Sequence, residues 1–448
     1  MPVTQSPPGA GKLAVLASGG PAPGINSVIS AVTIRARLSG TEVIGIRDGF
    51  HPLMAGDHSR LVPLDIESTS RIHFRGGCYL GITRGSPAGD PAAMARSLQT
   101  LREAGITMLV TIGGDGTAFV ACEIAKAAAE AEFPLRIVHV PKTIDNDIDL
   151  PHDISTFGFQ TARHVGVDIV KNLMVDAKTT GRWYLVIAQG RKAGHLALAI
   201  GKAAGATLSV IPEEFRGVRK GELTLRTVVD TLVGSIFKRA AEARPRRYGV
   251  ALLAEGLAEL IAEDELLAYV KRVPRDAVGN VRHAQISIGD ILQQAVRERL
   301  QDLGHKGGKN LDNLTVLSKQ VGYELRSADP IPFDMEYTRD LGYCAARFIL
   351  SGGTHAMVTM QSGCFVPIPL FELLDPDTGK PRVRLVDVSS DRYRIARTYM
   401  IRLGSRDFSK EFFFERELGL SAETLRAELG EVIAREDAFW SRGSLHAG

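Results

Sequence analysis

The segment Pro141-Lys142-Thr143-Ile144-Asp145-Asn146-Asp147 sets two carboxylates two residues apart beside a lysine and a threonine. One carboxylate of such a set can take a proton from a hydroxyl, while the lysine neutralises charge on a phosphoryl group in transfer. A solvated acidic turn is the competing reading, and Pro141 with its apolar neighbours weighs against it. A second segment, Thr111-Ile112-Gly113-Gly114-Asp115-Gly116-Thr117, flanks a carboxylate with glycines. It suits close approach to a phosphate with Asp115 holding Mg²⁺, often through water. The alternative is an aspartate that caps a helix beginning at Thr117. As a dinucleotide fingerprint it fails, because Phe119 replaces the last glycine of GxGxxG. A third segment, Ser18-Gly19-Gly20-Pro21-Ala22-Pro23-Gly24-Ile25-Asn26, is equally readable as a tight turn or as a loop whose N–H groups meet an anion. Ile25-Asn26 stands where a Walker A loop needs Lys then Ser or Thr, and Gly9-Ala10-Gly11-Lys12 precedes its strand, so a P-loop is not supported.

Each of these segments follows a short apolar run. Strands are expected at Leu13 to Ser18, Glu42 to Ile46, Thr107 to Ile112, Arg136 to Val140, Trp183 to Ala188, Tyr248 to Ala254, Thr315 to Ser318 and Ala356 to Met360. Between them, the stretches beginning at Met94, around Cys122 to Glu130 and from Arg226 carry the three-to-four spacing of amphipathic helices. Alternation of this kind predicts an α/β architecture with a largely parallel sheet, in which ligands collect at the carboxyl ends of strands. Three such strand ends with phosphate-like character argue against chance. The KTTG sequence at Lys178 to Gly181 predicts a break, and Gly304 to Asn310 a surface loop. The expected division is 1–180, which later segments may complete, then 181–407, then a charged helical extension over 408–448.

Composition narrows the class further. Hydrophobic residues at 44% and charged residues at 23% of 448 are ordinary for a globular chain and exclude wholesale disorder. Lys plus Arg number 54 against 51 Asp plus Glu, so a net charge of +3 provides no excess of cation for a nucleic acid backbone. Cys78, Cys122, Cys344 and Cys364 form no CxxC pair, which suits a reducing compartment. The N-terminus lacks a cationic start followed by an apolar core, and no membrane-length apolar run follows. A cytoplasmic protein without nucleic acid or membrane partners is therefore expected.

In order along the chain, GGPAPGIN, GGDGT, PKTIDND, TFGFQTA, QGRKAGH, AEGL and GYELRSADP resemble the 6-phosphofructokinase family over about Gly11 to Leu403. GGDGT alone also occurs in NAD and diacylglycerol kinases, which lack PKTIDND. The resemblance implies two Rossmann-like three-layer domains with the active site in the cleft between them, and a homo-oligomer, dimer or tetramer. It implies a cytoplasmic, glycolytic, allosteric kinase that phosphorylates the 1-hydroxyl of fructose 6-phosphate with Mg²⁺. Asp145 matches the family's base, with Lys142, Thr143 and Asp147 as its neighbours, and Arg84 matches an arginine bridging the transferring group. Gly20, Gly114, Asp115, Gly116 and Thr117 match donor contacts, with Asp115 linked to the metal. Thr143 and Asp145 also meet the sugar, together with Gln189, Gly190, Arg191, Glu255 and the 6-phosphate clamp Tyr323 and Arg326. Gln189 departs from the usual methionine. A silent sensor on the same scaffold is the other class of reading, and the intact TIDND set counts against it.

Two positions report on the phosphoryl donor, and they disagree. Pyrophosphate-dependent members typically carry Asp at the place of Gly116 and Lys at the place of Lys142, whereas short bacterial ATP enzymes have glycine at both. The open Gly116 favours ATP, since a carboxylate blocks and a lysine does not. Asp334 to Gly353 and GGPAPGIN resemble the long pyrophosphate-dependent enzymes, which makes pyrophosphate the alternative.

Overall fold

The computed structural model describes residues 11–151, 154–215, 217–219, 221–270, 287–309, 314–379, 381–409 and 413–441. The ends of the Gly304 to Asn310 loop and of the expected C-terminal extension thus lie partly outside the described residues, as does much of the stretch 258–314. The chain divides into two compact units, Met1–Val165 with Tyr323–Arg384, and Gly166–Gly322 with Leu385–Gly448.

The first unit is built on an eight-stranded sheet. Its strands are β1 (Lys12–Ala17), β2 (Val43–Ile46), β3 (Leu61–Leu64), β4 (Ile106–Gly113), β5 (Arg136–Thr143) and β6 (Phe157–Gly158). The second unit follows with β7 (Arg182–Ala188), β8 (Leu208–Val210), β9 (Gly249–Ala254) and β10 (Thr315–Val321), after which β11 (Ala356–Gln361) and β12 (Cys364–Pro369) return to the first. The order in the first sheet is β12-β11-β5-β4-β1-β2-β3, with β6 beside β5. β1, β4 and β5 are adjacent and parallel, so the three segments singled out in the sequence leave neighbouring strands at the same edge. All three strands are almost wholly buried, which accounts for their unbroken apolar runs.

Helix Ile25–Leu38 makes the crossover from β1 to parallel β2, and helix Asp115–Glu130 the crossover from β4 to parallel β5. Helix Pro332–Leu350 packs on Ile25–Leu38 at a point where a Cβ on Gly342 would lie 2.8 Å from the Val28 carbonyl oxygen. Only glycine permits the two backbones to approach that closely.

The second unit has a four-stranded parallel sheet in the order β10-β7-β9-β8. Its core joins Trp183, Leu185 and Leu253 from the strands to Val228 and Phe237 of helix Leu225–Ala240 and Leu292 of helix Ile288–His305. Helix Ala422–Ser441 adds Leu425, Leu429, Val432 and Ile433 to that same core. Buried Arg299 pins it further, with its guanidinium on Asp230 at 2.8 Å and Glu428 at 3.1 Å.

The expected break at Lys178 to Gly181 falls where helix Phe159–Thr180 ends at Gly181, whose φ is 69°. Among the described residues no helix is long and apolar enough to cross a membrane.

Candidate active site

Three loops at the edge of the first sheet converge on Lys142. This residue is buried, and its ammonium donates to the Gly20 carbonyl oxygen. Burial pulls its pKa down to about 8; the carboxylates of Asp145 and Asp147 resist the shift and the Arg326 guanidinium adds to it. A Cβ on Gly19 would lie 3.8 Å from the same ammonium, and Gly19 itself has a φ of 94°, in the region glycine favours. Arg326 Nη1 lies 3.6 Å from where a Cβ on Gly20 would stand, and its guanidinium covers the ring of exposed Tyr323 at 4.5 Å. Arg326 and Tyr323 are therefore in the first unit, beside the Gly20 loop.

The turn carrying Asp145 is held from both sides. Thr143 Oγ1 accepts from the Asp145 N–H at 3.0 Å, and Thr156 Oγ1 donates to the Thr143 carbonyl at 2.8 Å. Asn146 sits at a φ of 57°, a left-handed conformation that asparagine tolerates, and its Oδ1 accepts from the Thr156 N–H at 3.0 Å. Buried Arg384 completes the support: its guanidinium donates to the carbonyls of Asn146, Leu150, Pro151 and Ile154, at 3.1, 3.3, 3.2 and 2.7 Å, and also to Asn146 Oδ1. The sequence reading passed over Arg384, since it lies 238 residues from Asn146.

At the end of β4, helix Asp115–Glu130 begins with Gly114 as its N-cap, without a side-chain cap. Asp115 is the first helical residue and accepts from the Gly116 N–H at 2.7 Å, so the helix starts two residues before the Thr117 start that a capping aspartate would require. Thr117 is buried and its hydroxyl donates to the Ser18 carbonyl at 3.3 Å, tying this loop to the one after β1. A Cβ on Gly116 would meet nothing within 4 Å.

Arg84 is exposed and follows Thr83, whose carbonyl accepts from Gly19 N–H at 2.8 Å and Ser18 Oγ at 3.0 Å. Buried Asn26 holds the start of the same segment, donating to the Arg75 and Gly76 carbonyls and accepting from Tyr79 N–H at 2.6 Å. Asn26 thus has a positioning task, which its place in GGPAPGIN did not disclose.

Among the described residues no group of three or more His, Cys, Asp or Glu could enclose a metal. Half-buried Asp115 is a carboxylate that could hold Mg²⁺, with phosphate oxygens and water completing its shell.

The second unit carries Gln189, Gly190, Arg191 and Glu255 at the ends of adjacent β7 and β9. The Gln189 N–H donates to Val321 and the Gly256 N–H to Gly190, at 3.1 Å each, while the Glu255 N–H donates to Ala188 at 3.0 Å. A Cβ on Gly256 would fall 2.4 Å from the Arg191 carbonyl oxygen, so only glycine fits there. Burial raises the Glu255 pKa and nearby Arg191 opposes the rise. Glu213, buried one loop away, accepts from Gly194 N–H at 2.9 Å and Val386 N–H at 3.0 Å, which fixes the far end of the 189–194 loop.

Parallel α/β units with glycine-bearing loops at strand ends are the doubly wound arrangement in which ligands meet the carboxyl ends of strands. Residues 12–349 match the family described as Phosphofructokinase, and the chain belongs to that family. It is 47% identical over 401 residues to a pyrophosphate–fructose 6-phosphate 1-phosphotransferase of Thermotoga maritima, covering 88% of this chain and 92% of that one. An ATP-dependent 6-phosphofructokinase of Chloroflexus aurantiacus is 31% identical over 374 residues, covering 81% and 90%. Among solved structures, a pyrophosphate-dependent phosphofructokinase from Nitrosospira multiformis superposes with a TM-score of 0.63 at 15% identity, over 95% of this chain and 92% of that one. That likeness shows the fold.

Proposed function

We propose that this chain is a magnesium-dependent fructose 6-phosphate 1-phosphotransferase that takes its phosphoryl group from pyrophosphate. The observation that carries the donor is Lys142, a buried cation fixed on the Gly20 carbonyl among the phosphate-type loops. Its support is the 47% identity to a pyrophosphate-dependent relative, against 31% to an ATP-dependent one. Pyrophosphate therefore replaces the ATP that Gly116 alone suggested. The open space at Gly116 is the one observation on the side of ATP, and room for a group does not amount to a contact with it.

In this reading Asp145 takes the proton of the sugar's 1-hydroxyl as that oxygen bonds to the terminal phosphorus, and orthophosphate leaves with the bridging oxygen. Lys142 and Arg84 stabilise the charge spread over the transferring and departing groups. Thr143 and Asp147 flank the base. Gly20 and Gly114 to Thr117 receive the donor, and Mg²⁺ held by Asp115 would neutralise its phosphate oxygens. Gln189, Gly190, Arg191 and Glu255 bind the sugar, with Tyr323 and Arg326 at its 6-phosphate. In the reverse direction orthophosphate is the acceptor of the phosphoryl group. Incubation of fructose 1,6-bisphosphate with orthophosphate and Mg²⁺ should yield pyrophosphate. Absence of pyrophosphate, with ADP phosphorylated in a parallel incubation, would move the chain to the ATP-dependent reading.

A further inference from the structure

Arg326 stands beside the Gly20 loop, where its guanidinium acts on the Lys142 ammonium as a second cation. It is half-buried and covers the Tyr323 ring, and among the described residues no carboxylate pairs with it. A guanidinium left without a counter-ion next to an ammonium suits an anionic ligand. The helical turn that carries it, Tyr323–Arg326, runs directly into Ser327-Ala328-Asp329-Pro330. What holds those residues decides where the guanidinium stands.

Gly76 meets this stretch backbone to backbone. Its N–H donates to Asp329 Oδ1 at 2.7 Å. A Cβ on Gly76 would lie 2.3 Å from the Ser327 carbonyl oxygen and 2.5 Å from that of Ala328. Ordinary contact needs about 3.5 Å, so a side chain here must drive the two segments apart by about 1 Å. Both neighbours are backbone, and neither can swing aside as the end of a side chain would. Gly76 has no positive φ, whereas Gly77 has one of 74° and a Cβ on it would meet nothing within 4 Å. The adjacent glycines thus serve different ends: Gly77 bends the chain, and Gly76 admits the turn that follows Arg326.

Of the two segments, the one carrying Gly76 is the more firmly held. Buried Asn26 accepts from the Tyr79 N–H and donates to the Arg75 and Gly76 carbonyls, at 2.6, 3.0 and 3.2 Å. Among the described residues, 327–329 receive a hydrogen bond from elsewhere in the chain at Gly76 alone, and the next anchor is the Ile331 N–H on Thr161 Oγ1 at 3.0 Å. A side chain at position 76 therefore displaces 327–329, and Arg326 is the residue that leads into them. We infer that Gly76 is a positioning residue: it seats residues 327–329 against its bare backbone and so sets where the Arg326 guanidinium stands. The inference rests on the reading that Arg326 meets the sugar's 6-phosphate.

The test uses the full chain with Mg²⁺-pyrophosphate and fructose 6-phosphate, and thermal unfolding as the control for folding. Gly76→Ala should raise the KM for fructose 6-phosphate about tenfold and leave that for pyrophosphate within about threefold, since a shift of about 1 Å spoils a two-pronged contact with phosphate. Gly77→Ala strains the backbone one residue on without touching 327–329, and should stay within about threefold for both substrates. A double-mutant cycle separates positioning from general loosening. Arg326→Met should raise the KM for fructose 6-phosphate about 30-fold or more, and adding Gly76→Ala to it should change that value by no more than about twofold. If Gly76→Ala does not fold, Asp329→Ala and Asp329→Asn take its place: asparagine keeps the acceptor for the Gly76 N–H and should match wild type, whereas alanine should raise the KM about threefold. A wild-type KM for fructose 6-phosphate in folded Gly76→Ala, or in Asp329→Ala if that variant is lost, overturns the inference. So does an equal rise in Gly77→Ala, or a double variant in which the two effects multiply. Arg326→Met with a wild-type KM refutes the 6-phosphate reading of Arg326, and the inference falls with it.

Discussion

Replacing Lys142 by methionine separates stability from activity, because the two should move in opposite directions. Burial lowers the lysine from a pKa of 10.5 to about 8 in the folded chain. At 1.36 kcal/mol per pKa unit, holding the charged form costs about 3 kcal/mol. The sign follows from proton counting. Between pH 8 and 10.5 the unfolded chain keeps the lysine proton that the folded chain has released, so the stability contribution of this group rises with pH across that window. Below pH 8 the penalty is present in full. Lys142→Met removes it at the expense of one hydrogen bond to Gly20, so at pH 7 the variant should unfold at equal or higher urea concentration than wild type. Its kcat/KM for pyrophosphate should fall about 10²- to 10³-fold, the usual loss when a fixed charge is taken from a transition state. The wild-type kcat/KM should also decline as pH rises through about 8, a limb the methionine variant lacks. Denaturant titrations and pH–rate profiles of both proteins give the answer. A variant that is less stable yet retains the wild-type profile would refute the argument that a strained, charged lysine serves the donor.

Three other substitutions test the surrounding architecture. Asp145→Asn should abolish turnover while both KM values or binding constants stay within about threefold, since it removes the base and keeps the shape; loss of fructose 6-phosphate binding with turnover retained would reassign the residue. Arg384→Met leaves several buried carbonyls without their donor and should cost about 3–5 kcal/mol in urea unfolding, with kcat reduced as the Asp145 turn loosens. Unchanged stability would remove Arg384 from its supporting role. Gly116→Asp introduces a side chain where a Cβ meets nothing within 4 Å, so pyrophosphate turnover should stay within about threefold and any ATP turnover should disappear. Persistent ATP use in that variant would show that the open space at Gly116 is not where a nucleotide lies.

The strands that frame the site were legible because parallel strands buried on both faces leave continuous apolar runs; eight strands were expected, and all eight are present with ends shifted by a few residues. β3, β6, β8 and β12 escaped notice for different reasons. β3, β6 and β8 have four, two and three residues, too few for a period to register, and β12 is a half-exposed edge strand carrying Pro367 and Pro369. The loop residues were legible as chemistry, whereas their supports were not. Arg384 and Asn26 act through backbone groups far away in sequence. The three passages of the chain between its two units are also silent in sequence. The first falls between Val165 and Gly166, inside the continuous helix Phe159–Thr180, which a lone glycine does not interrupt, and the expected boundary near 180 lies at the end of that helix.

The central claim is tested most directly by forming fructose 1,6-bisphosphate from fructose 6-phosphate and Mg²⁺, with ATP-free pyrophosphate and with ATP in parallel. The account predicts product with pyrophosphate and at least a hundredfold lower kcat/KM with ATP, a gap of about 2.7 kcal/mol in transition-state stabilisation. Product with ATP alone would contradict it, and would mean that the room at Gly116 outweighs the buried charge of Lys142.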